Sequence, residues 1–382
     1  TRETKDPEHA RIIRDDEGDA TGELQEAAMD LVSQLIPAPS EQELYASLKH
    51  LLDRAASYGL TSVQNAHFDE SELPIFDRVL QENGLKVRFR WAVPFRRDAT
   101  AQDFLKWRSL SNRYPPNMMK FGAAKGMLDG VVDAQTAAMF EPYTTGKNGI
   151  AMWKQEELNN TAALYDREGF QIMLHAIGDK AIAMALDAYE YVARTNGRHE
   201  RRHRIEHIEV PRLADLPRFR ALGVIASTQA LFANPDKTTL ENYLPLLGPE
   251  RSTRANAFKL FDDAGAVQAF GSDWPVFSME VLRGIYCAAA RKTPEGTPPE
   301  GYFAQHRIPV ESALRHFTVD AAYASFEEKQ KGTLTPGKYA DFVVLSENIL
   351  EPPAERVLKA KVLMTVMGGK VTYHQMQLDS SH

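Results

Sequence analysis

Cysteine occurs once in the 382 residues, at Cys287. A lone thiol excludes an intrachain disulfide and a cysteine metal set, and it suits a reducing compartment such as the cytoplasm. No apolar run reaches the ~18–20 residues of a membrane-spanning helix, so no membrane partner is expected. The opening TRETKDPEHARIIRDDEGDATG is charged and has no apolar core of a secretion signal. Without an initiator methionine it reads as the interior of a longer chain. Positive charge is not in excess either: 45 Lys and Arg stand against 52 Asp and Glu, a net −7, with no dense basic block. Nucleic-acid binding therefore has little electrostatic support. Finally, no two of the eleven histidines are separated by a single residue.

What is present is an alternation of helical and strand patterns in a chain of ordinary globular composition, 43% hydrophobic and 25% charged. Residues 41–60 carry apolar positions at helical spacing and end at Gly59. Residues 61–66 (TSVQNA) then read as a short buried strand. The alternation continues through strands at 86–93, 118–128, 171–176, 203–210, 224–229 and 266–272, with helical stretches ending in Asn83-Gly84 and Asn196-Gly197 among those between them. Seven such βα repeats argue for parallel strands with helical crossovers. An α/β barrel is favoured, because several strands finish on a polar residue and barrel strands present their C-terminal ends to the active site. An open doubly wound sheet produces the same alternation. After about Glu328, GTLTPGKYADFVVLS and KVLMTVMGGKVTYH read as short strands with glycine-rich turns and no intervening helix. The expected division is a barrel over 1–328 and part of a small all-β domain over 329–382.

The stretch RTNGRHERRHRIEHIEV contains His199-Glu200-Arg201-Arg202-His203, a literal H-E-x-x-H. That motif binds zinc when a helix puts both imidazoles on one face. Here Asn196-Gly197 ends the preceding helix and a strand pattern follows almost at once, so no helix fits. Four arginines among the histidines point instead to an exposed loop.

His207 differs, because it stands on the strand pattern. A lone histidine there is more often structural than a ligand, and the same holds for each of its companions taken singly. His175 closes QIMLHA, and Asp273 closes AVQAFGSD just before Trp274-Pro275. Lys125 lies in AAKGMLDG on an earlier strand. Together they would set two imidazoles, a carboxylate and a lysine at strand ends, a donor set suited to a borderline divalent ion such as zinc.

LHAIGDKA, HRIEHIE, FGSDWPV and GTLTPGKYADFVVL, in this order, resemble the amidohydrolase superfamily, and within it amidohydrolase family 3, which includes enzymes like N-substituted formamide deformylase. The resemblance implies a (β/α)8, TIM-like barrel with a small β-sandwich built from both chain ends. It implies that His175, His207 and Asp273 are metal ligands, with Asp273 also shuttling the proton. Lys125, from the pattern K-x-x-x-D-G, would be the lysine that is often carboxylated and bridges two metals; Lys120 is its rival. The activity implied is hydrolysis of a carbon–nitrogen bond in a small-molecule amide, formamide or cyclic amide by metal-activated water. The family's first barrel strand carries a His-x-His that this chain lacks, so the barrel is expected to be incomplete at strand 1, and the chain itself to be either active or catalytically silent. His67 is a substitute ligand or an ordinary loop histidine. A homo-oligomer is left open.

Overall fold

The computed structural model describes residues 2–7 and 10–375. Its centre is a seven-stranded parallel sheet of β3 (Ser62–Asn65), β4 (Arg88–Pro94), β5 (Met119–Met127), β6 (Gln171–Ala176), β7 (Arg204–His207), β8 (Ile225–Gln229) and β9 (Gln268–Gly271). The strands lie side by side in chain order, each paired in parallel with the next. A doubly wound sheet reverses its order at a switch point. This sheet has no reversal, so the crossovers fall on one face and it curls as an incomplete TIM-like barrel does. Among the described residues no strand joins β9 to β3.

Side chains alternate across the sheet. Phe89, Trp91, Val93, Phe121, Ile172, Leu174, Ile205 and Ala226 belong to one buried core with the helices Glu41–Ser57, Leu73–Gln81, Ala101–Arg113, Gln155–Arg167 and Asp179–Thr195. Each of the larger aliphatic and phenylalanine side chains contributes roughly 1.5–3 kcal/mol by leaving water. Trp91 sits at the middle, fully buried, stacked on Phe121 at 6.1 Å and edge-on to Phe76 at 4.9 Å. The intervening residues, on the concave face, are of another kind: Arg90, Lys120, Lys125, Gln171, His175, Arg204, Glu206, Ser227 and Gln229, with two small apolar clusters, one of Ala92, Ala123 and Met173 and one that includes Ile225 and Ala269. A closed barrel normally fills its interior with branched apolar residues. This one is lined for polar contact.

Two smaller sheets flank the large one. β1 (Arg11–Arg14) and β2 (Ala20–Gln25) form an antiparallel hairpin. In its turn, the Asp15 carboxylate accepts from the Glu17 and Asp19 amides at 3.0 and 2.9 Å. At the other end β10 (Phe342–Leu345), β11 (Val362–Met367) and β12 (Lys370–His374) make a three-stranded antiparallel layer. Gly368 and Gly369, with φ of 58° and 77°, supply the left-handed pair that a two-residue hairpin turn needs. The layer is fastened to the large sheet by Arg88, whose guanidinium grips Asp341 through Nη2 at 2.8 Å and Nε at 3.0 Å. The expectation of no helix in this region is corrected: a single turn, Arg356–Lys359, lies between β10 and β11.

Candidate metal centre

The C-terminal ends of β5, β6 and β7 bring the expected residues into register, with Met127 beside His175, and Ala176 beside His207. The expected strand 203–210 stops early, at His207. His207 and Ile208 take φ of 75° and 55°, a left-handed conformation that a β-branched residue rarely adopts. The kink carries the His207 ring to His175, their centroids 4.5 Å apart at 64°. Phe232 stacks on the other side of His207 at 5.9 Å.

Each imidazole is fixed through one nitrogen. His175 Nε2 donates to the Gly130 carbonyl at 3.0 Å, which assigns the proton to Nε2 because a carbonyl only accepts. His207 Nδ1 pairs with Gln229 Oε1 at 2.9 Å. Among the described residues His175 Nδ1 and His207 Nε2 have no hydrogen-bond partner, the arrangement that orients metal-ligating histidines. Both rings are neutral at pH 7. Burial, then the neighbouring His207 and Lys125, hold His175 well below the ordinary range, and burial with Lys125 pushes His207 down to about 3.

Lys125 projects from β5 toward the same region. Burial lowers its pKa, against the opposing pull of Glu206 and Asp273. Asp273, two residues beyond β9, has φ of 56° and stands exposed on the rim. Enough protein surrounds it that desolvation raises its carboxyl to about 6, although Lys125 pulls the other way. Lys120 lies toward the opposite end of β5, its Nζ 3.4 Å from the Ser325 carbonyl. His67 is an exposed loop residue whose amide is held by Asn65.

Two further residues support this end of the sheet. Asp129 is fully buried and receives the amides of Ala138, Ile177 and Gly178 at 2.9, 3.0 and 2.8 Å, with His175 Nε2 3.5 Å away. Burial pushes its carboxyl up to about 8 against those three donors. Glu26 follows β2 with a left-handed φ of 54° and accepts from Thr136 Oγ1 at 2.6 Å. It presses so closely on Gly130 that a Cβ there would lie 2.3 Å from Glu26 Oε1. Thr136 Oγ1 in turn accepts the Val131 amide at 3.0 Å. The loop that supplies the His175 acceptor is thus clamped from the hairpin side.

The H-E-x-x-H histidines lie elsewhere. Residues 199–203 form no helix, as expected, and both rings face Asp166, from His199 at 3.8 Å and His203 at 3.2 Å. The expectation of an exposed loop is corrected, because Arg202 and His203 are buried. Arg202 lies 3.6 Å over the Tyr323 ring and pairs with Glu328, and His203 Nδ1 accepts the Ile172 amide. Partners remote in sequence neutralise what looks like a solvated basic run.

The sequence pattern of the amidohydrolase family matches residues 1–373. The chain belongs to the amidohydrolase family. Protein LONG AFTER FAR-RED 3 of Arabidopsis thaliana is 32% identical over 97% of this chain and 64% of that protein. N-substituted formamide deformylase of Arthrobacter pascens is 24% identical over 97% of this chain and 69% of that one. The chain therefore spans about two thirds of the length of these curated relatives. An uncharacterized metal-dependent hydrolase from Pyrococcus furiosus shares the fold, with a TM-score of 0.72 at 22% identity over 92% of this chain and 69% of that one.

Membership in the amidohydrolase family implies a divalent metal. The donor chemistry fits one: two neutral imidazoles with a free nitrogen each, a rim carboxylate, and a lysine whose positive charge is disfavoured. The donors are not preassembled, since among the described residues no three His, Cys, Asp or Glu side chains draw together as a metal-holding group.

Proposed function

We propose that this amidohydrolase is a metal-dependent hydrolase cleaving a carbon–nitrogen bond in an amide, formamide or cyclic amide. The observation that carries the reading is the His175–His207 pair, buried, neutral and fixed through one nitrogen each. His175, His207 and Asp273 would hold the divalent ion, with zinc as the metal, and Lys125 in carboxylated form would add an oxygen donor. A bound ion of this type lowers the pKa of water from 15.7 to about 7 and polarises a carbonyl. The chain's own part is to orient and to move protons. Asp273, open to solvent on the rim, would take the proton from the attacking water and return it to the leaving amine. Gly130 and Gln229 would keep the imidazole nitrogens that face the site free of protons. The Arthrobacter pascens relative, named an N-substituted formamide deformylase, supports the choice of bond.

Two observations favour a second reading, a catalytically silent chain: the sequence has no His-x-His, and among the described residues no three donors converge. Metal content per chain, measured on protein purified without chelator, decides between them. About one zinc or more per chain is expected, and a folded, metal-free chain would favour the silent reading. With metal bound, Asp273→Asn should abolish hydrolysis across an amide panel while leaving the fold intact; full turnover by that variant refutes the proton-shuttle role.

A further inference from the structure

At the end of the concave face opposite His175 and His207, positive charge is not balanced. Arg90, third in β4, is only 5% exposed. Its Nη1 donates to two neutral oxygens, Gln64 Oε1 at 3.1 Å and Gln171 Oε1 at 2.6 Å. Among the described residues no carboxylate pairs with it, and its buried Nε has no hydrogen-bond partner. Neighbouring charges deepen the imbalance. Arg204 is spent on Glu206 at 2.9 Å and Ser227 at 2.6 Å. Among the described residues, Lys120 hydrogen-bonds only to the Ser325 carbonyl. Glu327, the acid whose field reaches Arg90, is paired with Lys331 at 2.9 Å. Burial, with Arg204 beside it, brings the Arg90 guanidinium down to about 10, so it keeps its charge at any physiological pH.

A buried, unpaired ion costs several kcal/mol, and a guanidinium cannot escape that cost by losing its proton. The two glutamines do not supply the missing charge. They orient the group instead: Gln64 Nε2 is tied to the Arg90 carbonyl at 2.9 Å and Gln171 Nε2 to the Ala324 carbonyl at 2.8 Å, so both amide oxygens are turned to Nη1. The opposite edge, Nε with Nη2, has no hydrogen-bond partner among the described residues, and it is the fork that fits a planar, two-oxygen anion.

We infer that this end of the concave face binds a small planar oxoanion of the carboxylate or bicarbonate type on the Nε–Nη2 edge of Arg90. The anion supplies the charge that Glu206 alone does not, and its binding is independent of any metal at the other end.

The test is thermal unfolding in carbonate-free buffer, titrating sodium formate against sodium chloride at constant ionic strength. Above its dissociation constant formate should raise the midpoint of the unaltered protein by about 1.5–2 °C per tenfold increase, and chloride should not. Arg90→Met removes the charge at similar volume; it should lose the formate response and be no less stable in chloride. If that variant does not fold, Arg90→Lys keeps the charge without the fork and should need at least tenfold more formate for the same shift. Line broadening of 13C-formate by the unaltered protein, and not by the folded variant, gives a direct reading. Equal responses to formate and chloride, or a variant responding like the parent, overturn the inference. So does a midpoint that follows protein concentration instead of formate, which would place a carboxylate of a second copy on Arg90.

Discussion

Glu26 shows what a single residue can do when its backbone is placed unfavourably. A left-handed glutamate is strained, by about 1–2 kcal/mol, and the strain is held by the contact its carboxylate makes with Thr136 over Gly130. Glu26→Ala should release the loop that carries the His175 acceptor. Loss of the hydrogen bond is expected to cost about 1–2 kcal/mol and to speed amide exchange at Val131 and Ala138, read by hydrogen-exchange mass spectrometry or NMR. Unchanged protection at those amides would show that the clamp does not hold the loop. Neither Glu26 nor Asp129 was legible as a site residue, because what they bind, a hydroxyl 110 positions away and three backbone amides, leaves no pattern in the sequence. His175, His207 and Asp273 were legible as strand-end residues, since strand periodicity and the C-terminal ends of parallel strands are local signals. That the two rings touch depends on the left-handed turn at His207 and Ile208, which nothing in HRIEHIEV announces.

At the scale of elements, the strand patterns of the sequence lie within about two residues of the strands of the large sheet at most ends, because each is a short apolar run bounded by turn residues. The helix Ala101–Arg113 is not among the helical patterns of the sequence, although it opens on a capping box, with Asp103 N 3.3 Å from Thr100 Oγ1 and Thr100 N 2.8 Å from Asp103 Oδ2. Of the helical pattern in TRANAFKLFDDAG, residues 253–265, only Phe258–Asp263 is a helix, since Asn256 with φ of 49° interrupts it. The loop between the helix Asp179–Thr195 and β7 is held by Asp166, on the helix Gln155–Arg167. This carboxylate, pulled below its ordinary range by His203, Arg201 and Asn196 despite burial, takes Arg201 Nε at 2.6 Å and Asn196 Nδ2 at 2.9 Å. Asp166→Asn would leave the Arg201 guanidinium unpaired, with 8% side-chain exposure. Breaking a buried pair from one side typically costs 3–5 kcal/mol, so a loss of about that size is expected in urea unfolding. A loss below about 1 kcal/mol would mean that the loop is held by packing alone.

For the whole molecule, the last helices matter because they join distant parts of the chain, and His316 is the joint. It sits on the helix Val310–Phe317, only 6% exposed, against the Phe270 ring of β9 at 4.9 Å. Its Nδ1 bonds Asp320 at 2.9 Å, on the next helix, and its Nε2 lies 3.2 Å from Asp262, on the helix Phe258–Asp263. Arg315, 3.4 Å from Asp320, is the nearby cation. Burial pulls the imidazole pKa down, yet the two carboxylates outweigh it and the folded value lies above 6.5. A group whose folded pKa is raised binds its proton more tightly in the folded state. Its stabilisation is therefore full below the unfolded pKa of about 6.5 and fades as pH rises through the folded value. His316→Gln should accordingly be less stable than the parent at about pH 6, and the gap should narrow steadily toward alkaline pH. Measuring the midpoint difference between the two proteins across that range isolates this residue, because other titrating groups are common to both. A difference independent of pH would show that the imidazole stays neutral and that its contacts, not its charge, tie the three helices to the sheet.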